Sequence, residues 1–265
     1  MRKELEVRPK IGLALGSGAA KGYAHIGVIK VLEKHGIPID VITGSSIGSL
    51  IGALYAAGVK VNYIESLAYH IKRRHFVDLT FPKVGFIAGN KVEEMLRLLT
   101  RNRNFDELSI PLGVVATDLK SKKLVLLREG NVATAVRASI AIPGIFSPVR
   151  TDGMVLVDGG VLERVPGREA REMGADVVIG VELGFTARSA LSNIYDILLQ
   201  TFEVMGQEIQ SLKGYDCDVL IRPNLENVNP LAFSEPERCI REGMRATEAV
   251  LPQIFTILER RDGAK

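Results

Sequence analysis

Ile39-Asp40-Val41-Ile42-Thr43-Gly44-Ser45-Ser46-Ile47-Gly48 joins an apolar run to a serine flanked by glycines. Ile39–Thr43 is a short, mostly apolar run stopped by glycine, which predicts a buried strand. From Ser46 to Ala57, the residues Leu50, Ala53, Leu54 and Ala57 recur at helical spacing and predict a helix. Between strand and helix lies Gly44-Ser45-Ser46-Ile47-Gly48, a G-x-S-x-G turn with Ser46 at its centre. Gly44 and Gly48 suit a turn in which two backbones approach closely and a Cβ on either flank would clash. The turn projects the Ser46 hydroxyl away from the sheet, beside a helix N-terminus that favours developing negative charge. A glycine-rich turn with a capping serine would show the same letters, and Ser45 and Ser49 are rival hydroxyls. The rest of the chain has to supply the context.

Ile11–Leu15 is a second short apolar run. It is followed by Gly16-Ser17-Gly18 and a helical pattern through Ile26, Ile29, Val31 and Leu32. Further strands are expected at Leu112–Thr117, Leu124–Leu127, Met154–Val157 and Val177–Val181, with helical patterns between several of them. This alternation predicts an α/β layer structure with a mostly parallel sheet. Later, Tyr195, Leu198, Phe202, Met205, Ile209 and Leu212 fall at helical spacing and predict an amphipathic helix. Core packing is the expected use of its stripe; a lid and a dimer seam are the alternatives. Another helix is expected through Ile240, Met244, Val250 and Leu251, interrupted at Pro252. No repeat or linker divides the chain. It reads as one domain, with a motif-bearing core over about residues 10–185 and a helical C-terminal segment over about 189–260.

The composition is that of a globular protein: 265 residues, 46% hydrophobic and 25% charged. A net charge of +3 without a base-reading motif excludes nucleic acid as an expected partner. The N-terminus lacks the apolar stretch of a signal peptide, and no apolar run is long enough to span a bilayer. A cytoplasmic protein is expected. Peripheral membrane contact stays open, since Lys72-Arg73-Arg74-His75-Phe76 and Phe81-Pro82-Lys83-Val84-Gly85-Phe86 mix basic and aromatic residues. Cys217 and Cys239 are expected as free thiols.

A nucleophilic serine needs a base. All four histidines, His25, His35, His70 and His75, lie in the first third of the chain, so a Ser…Asp…His order is impossible. The better base is Asp158, at the end of a predicted strand and ahead of Gly159 and Gly160, although Asp-Gly is also a common turn. The loop Gly16-Ser17-Gly18-Ala19-Ala20-Lys21-Gly22 has three readings. A dinucleotide fingerprint would need glycine where Lys21 stands, with Asp40 as ribose acceptor. A P-loop would need Lys21-Gly22 reversed. A nest of backbone N–H groups that stabilises an oxyanion fits unmodified.

These three motifs, in this order, resemble the patatin-like phospholipase family, small single-domain bacterial type. Ala24-His25-Ile26-Gly27-Val28 and Ala138-Ser139-Ile140-Ala141-Ile142-Pro143 look like the same family. The resemblance implies a three-layer α/β/α hydrolase acting on phospholipid, lysophospholipid or other carboxylic esters, without metal or cofactor. It implies Ser46 as nucleophile, Asp158 as base and the region of Gly16, Ser17, Gly18 and Ala19 as oxyanion hole, with Gly22, Gly44, Gly48, Gly159 and Gly160 in support. Lys21 would brace the loop or sit near a lipid phosphate. Two departures stand out. Ser17 occupies a position where the family usually has glycine, and Glu163 follows Asp158 closely enough to raise its pKa by like-charge repulsion, with Arg164 as an offset. The other function classes are a catalytically silent binding or regulatory protein on the same fold, and a nucleotide-binding oxidoreductase. Intact Ser46 and Asp158 argue against the first, and Lys21 against the second.

Overall fold

The computed structural model describes residues 8–70, 78, 85–184, 194–229 and 233–262. In chain order the elements are β1 (Ile11–Leu15), α1 (Ala24–Lys34), β2 (Val41–Ser45), α2 (Ile47–Ala56), α3 (Val61–His70) and α4 (Asn90–Leu99). β3 (Leu112–Asp118), β4 (Lys123–Leu127), α5 (Val132–Ser139), β5 (Val149–Thr151) and β6 (Met154–Asp158) follow. The chain continues through α6 (Gly167–Glu172), β7 (Val177–Val181), α7 (Ile194–Lys213), β8 (Val219–Ile221) and α8 (Pro236–Asp262).

The strands form one sheet in the order β5-β6-β3-β2-β1-β7-β8, with β4 also on β3. β1, β2, β3, β7 and β8 run parallel, while β4, β5 and β6 are antiparallel additions. The parallel strands are buried on both faces, as expected where helices cover both sides. On one face Leu13, Leu15, Ile42 and Val114 join the main core with α1, α2 and α8. On the other, small residues Ala14 and Val178 pack with Val165, Ala170 and Ala175 around α6. The architecture is a three-layer α/β/α fold.

Two expectations shift. The second strand begins at Val41, not Ile39, because Asp40 is taken up at the sheet edge: its carboxylate accepts from the Ile11 N–H at 2.8 Å and from the Arg8 guanidinium at 2.6 and 2.7 Å. That edge is the N-terminal end of β1 and β2, whereas ligands of open parallel sheets bind beyond the C-terminal ends. Asp40 therefore stands at the wrong end for a ribose. The second shift is that Pro252 lies inside an unbroken α8. It sits on an exposed side of the helix, where water can serve the carbonyl that Pro leaves without a partner, while Leu251 and Ile254 beside it are buried. α8 also packs against α1 closely enough that a Cβ at Gly27 would lie 2.0 Å from the Ile240 oxygen. It is a structural member of the core, not an appendage.

Candidate active site

The sheet register brings the two predicted residues together. β4 occupies one edge of β3 over Val114–Asp118. The other edge is shared: β2 pairs with its first half, Ser45 opposite Val115, and β6 runs antiparallel along its second half, Asp158 opposite Ala116. The C-terminal ends of β2 and β6 therefore meet head to head on consecutive rungs of β3. Ser46 Oγ donates to Asp158 Oδ2 at 2.6 Å, and both residues are buried.

Ser46 sits at φ 52°, ψ −122°, a conformation a non-glycine residue holds at a cost of about 1–3 kcal/mol. Its side chain does not cap α2. The surroundings hold the strain in place: the Ser46 N–H donates to Ser139 Oγ at 2.9 Å, and Ser49 Oγ donates to the Ser46 carbonyl at 2.6 Å. A Cβ at Gly44 would lie 2.4 Å from Ser49 Cα, and one at Gly48 2.1 Å from the Leu15 oxygen, so both flanks require glycine. The rival hydroxyl Ser45 is committed to the Glu163 carbonyl at 2.7 Å.

Asp158 Oδ1 accepts from the Gly160 N–H at 2.8 Å. Burial pushes its pKa up to about 6, opposed by the hydrogen bonds from Ser46 and Gly160 and by the Arg164 charge. The expected repulsion from Glu163 is not the cause. That carboxylate turns away to Lys213 Nζ at 3.3 Å, and the acidic neighbour that counts is Glu203 on α7. Arg164 does supply an offset, and it pairs with Glu203 at 3.4 Å.

The glycine loop divides into two parts. The Gly16 and Ser17 N–H groups are spent on the Val181 and Arg164 carbonyls at 3.1 and 2.9 Å. Gly18 and Ala19 line the pocket with Ser46 and Asp158, which makes their amides the candidates for an oxyanion. Lys21 is buried beneath the loop, its Nζ reaching the Leu183 carbonyl at 3.3 Å, and burial lowers its pKa. It is absent from the pocket lining, and its position favours bracing the loop over contact with a lipid phosphate. His25 is fully buried, and its Nε2 donates to the Gly16 carbonyl at 2.8 Å. Burial lowers its pKa to about 4 and keeps it neutral. His35 and His70 bond to the carbonyls one turn back in their own helices, and His75 lies outside the described residues. Replacing each histidine singly, with glutamine at His25 to keep the donor, is expected to leave ester turnover within about tenfold, because losing a true general base costs at least about 10²-fold. A larger loss at one of them in steady-state kinetics, with the fold intact by circular dichroism, would assign the base to that histidine.

The pocket has a volume of about 90 Å³, and α7 roofs it with Leu199, Phe202 and Glu203. The expected core packing of the α7 stripe does not hold. Leu198, Met205 and Leu212 are exposed, together with Ile194, Ile197 and Val204. Of the stripe only Phe202 faces the pocket, joined by Leu199 and Glu203 from the neighbouring face. The periodicity of the segment was legible, but two apolar faces on one helix look like one in sequence. Glu203 gave no signal at all. Ile142 and Pro143, which form another wall, belonged to a quoted motif but not to the expected site. The free thiols Cys217 and Cys239 take no part. Among the described residues no cluster of His, Cys, Asp and Glu could hold a metal, and no helix is long and apolar enough to cross a membrane. The basic-aromatic segments at 72–76 and 81–84 also lie outside the described residues.

Comparison with known proteins gives the same direction at three levels. A family model, the patatin-like phospholipases, matches residues 13–171. An uncharacterised NTE family protein of Mycobacterium tuberculosis is 38% identical over 193 residues, covering 70% of this chain and 53% of that protein. Human patatin-like phospholipase domain-containing protein 6 is 33% identical over 196 residues, 71% of this chain and 14% of that protein. Lysophospholipase NTE1 of Coccidioides immitis is 35% identical over 180 residues, 66% of this chain and 11% of that protein. The chain thus spans about half or much less of these relatives. Among solved structures, VipD from Legionella pneumophila superposes with a TM-score of 0.69 at 15% identity, over 93% of this chain and 67% of that one. At this identity the likeness speaks for the fold.

Proposed function

The chain belongs to the patatin-like phospholipase family, and from that premise we propose that it hydrolyses carboxylic esters of lipids through a Ser46–Asp158 dyad and an acyl-enzyme. The observation that carries this reading is the 2.6 Å hydrogen bond from a strained, buried Ser46 hydroxyl to a buried carboxylate, beside the N-terminus of α2. Asp158 takes the Ser46 proton as Oγ attacks the acyl carbon. The Gly18 and Ala19 N–H groups stabilise the oxyanion, and the alcohol or lysolipid leaves with the proton. Water then attacks the acyl-enzyme, again losing its proton to Asp158, and the carboxylic acid is released. Phospholipid and lysophospholipid are the substrate class the family suggests. A panel of p-nitrophenyl esters, phospholipids and lysophospholipids, assayed with wild type and Ser46→Ala, tests this. Turnover of long-chain lipid esters by wild type alone is expected, and failure of wild type on every ester would overturn the reading.

The exposed face of α7 supports contact with a lipid surface as part of this function. Ile194 and Val204 are 65% and 58% exposed on the helix that roofs the pocket, so the surface presenting the substrate and the pocket mouth would adjoin. Replacing Ile197, Val204 and Met205 together with serine is expected to weaken flotation with neutral phosphatidylcholine vesicles at least about tenfold. Turnover of a soluble short-chain ester should stay within about twofold. Unchanged vesicle binding would refute the contact. A wild-type dimer that the triple variant dissolves, seen by sedimentation, would assign the face to a second copy of the chain.

A further inference from the structure

The motif Ala138-Ser139-Ile140-Ala141-Ile142-Pro143 lends the pocket a wall through its last two residues, and its middle touches the dyad from behind. Ser139 closes α5 and is fully buried. Its Oγ accepts from the Ser46 N–H at 2.9 Å. Two residues later, the Ala141 carbonyl accepts from the Asp158 N–H at 3.0 Å. One stretch of three residues thus holds the backbone amides of both dyad partners.

Both amides stand where the sheet no longer serves them. β2 ends at Ser45, and the positive φ of Ser46 turns the chain out of the ladder. β5 pairs with β6 only as far as Leu156, which leaves the Asp158 N–H to another acceptor. A buried N–H without a partner costs about as much as the backbone strain at Ser46, so one bond of this kind is enough to hold that strain or release it. The stretch is itself fixed. The Ile140 and Ala141 N–H groups bond to the Val136 and Ala138 carbonyls at 3.0 and 3.1 Å, continuing the last turn of α5. Farther along, the buried Arg137 guanidinium donates to the Ser147 carbonyl at 2.7 Å and lies 5.3 Å from the centre of the Phe146 ring. At Asp158 the holding group is a main-chain carbonyl, present in any variant. At Ser46 it is a side chain.

On the dyad reading above, we infer that Ser139 is a positioning residue of the reaction: through the Ser46 N–H it holds the nucleophile in the strained conformation that keeps Oγ on Asp158. Ser139 is absent from the pocket lining, so it acts through Ser46 and touches no substrate. Without the Oγ acceptor, the Ser46 backbone relaxes toward an ordinary φ and its hydroxyl swings off the base. Substrate binding is spared and the chemical steps slow.

The test compares wild type, Ser139→Ala and Ser139→Cys in p-nitrophenyl ester hydrolysis across a range of pH. Alanine removes the acceptor, whereas cysteine keeps the shape of the side chain and accepts only weakly. In Ser139→Ala, kcat should fall about ten- to a hundredfold with KM within about threefold, as a misplaced reacting group costs. Ser139→Cys should fall between alanine and wild type. Fluorophosphonate labelling of Ser46 should slow in step. Burial raises the Asp158 pKa and the Ser46 hydrogen bond opposes that rise, so a displaced Oγ should move the acidic limb of kcat/KM above about 6. An unchanged kcat in Ser139→Ala would overturn the inference. A raised KM with kcat kept would also overturn it and leave the stretch as a wall alone. A slower kcat with the limb unmoved would do the same, since Oγ then never left the base. Wild-type activity in Ser139→Cys would make volume, and not the hydrogen bond, the requirement. Circular dichroism checks the fold, and if Ser139→Ala does not fold, the same readouts on Ser139→Cys decide. Full turnover by Ser46→Ala would instead overturn the dyad, which separates the two failures.

Discussion

Ser46→Ala is expected to lower ester turnover at least about 10³-fold, since removing the nucleophile of a covalent mechanism leaves only the oxyanion amides and substrate binding. The variant should fold normally. Alanine inherits the positive φ of Ser46, so the strain at this position persists and the melting temperature should move little. Ser46→Gly supplies a second check. Glycine adopts that backbone freely, so this variant should be equally inactive yet more stable than Ser46→Ala by about 1 kcal/mol in urea titration. Inactivity accompanied by higher stability cannot come from misfolding. Residual activity within tenfold of wild type in either variant would move the nucleophile elsewhere.

Asp158→Asn should cost as much activity and also change the pH dependence of stability. The folded pKa of Asp158 is raised from 3.8 to about 6 by burial. A raised folded pKa means that the native state holds the proton more tightly than the unfolded chain. The stabilisation this brings is complete below the unfolded pKa and is lost as pH rises through about 6. At pH 7.5 the buried carboxylate therefore costs on the order of 3 kcal/mol relative to its neutral form. Asparagine removes the charge and keeps an oxygen for the Gly160 N–H. The variant should melt several degrees above wild type at pH 7.5, with the gap about halved at pH 5 and closed only below about 3.8. In wild type the same titration should appear in kcat/KM as an acidic limb near pH 6, because only the ionised carboxylate accepts the Ser46 proton. The double variant Ser46→Ala, Asp158→Asn should be little worse than either single change, as expected of groups that act as a unit. A melting temperature lowered at pH 7.5, or additive losses, would contradict the buried-base account.

Much of the candidate site's geometry was legible because it depends on residues with narrow backbone requirements. Gly44 and Gly48 announced a tight turn, and the apolar runs beside them placed that turn between strand and helix. Asp158 was legible as a strand end before two glycines. What brings Asp158 to Ser46 was not, since it depends on an antiparallel strand continuing the edge of β3 where β2 stops. Pairing of that kind leaves no local pattern. Glu163 was singled out because it is near Asp158 in sequence, whereas the acidic group that matters, Glu203, comes from a helix over forty residues later. The glycine loop shows the same limit. Four residues were expected to contribute, and tertiary carbonyls claim the amides of two of them, Gly16 and Ser17. Pro252 was read by its local effect, but packing of Leu251 and Ile254 on the core outweighs the lost hydrogen bond.

The most direct measurement is rapid-quench mass spectrometry of the wild-type protein during turnover of a slowly hydrolysed acyl ester. One acyl group per chain is expected, mapped by peptide digestion to Ser46 and missing in Ser46→Ala. Turnover at the same rate with no adduct, or an adduct on any other residue, would contradict this expectation.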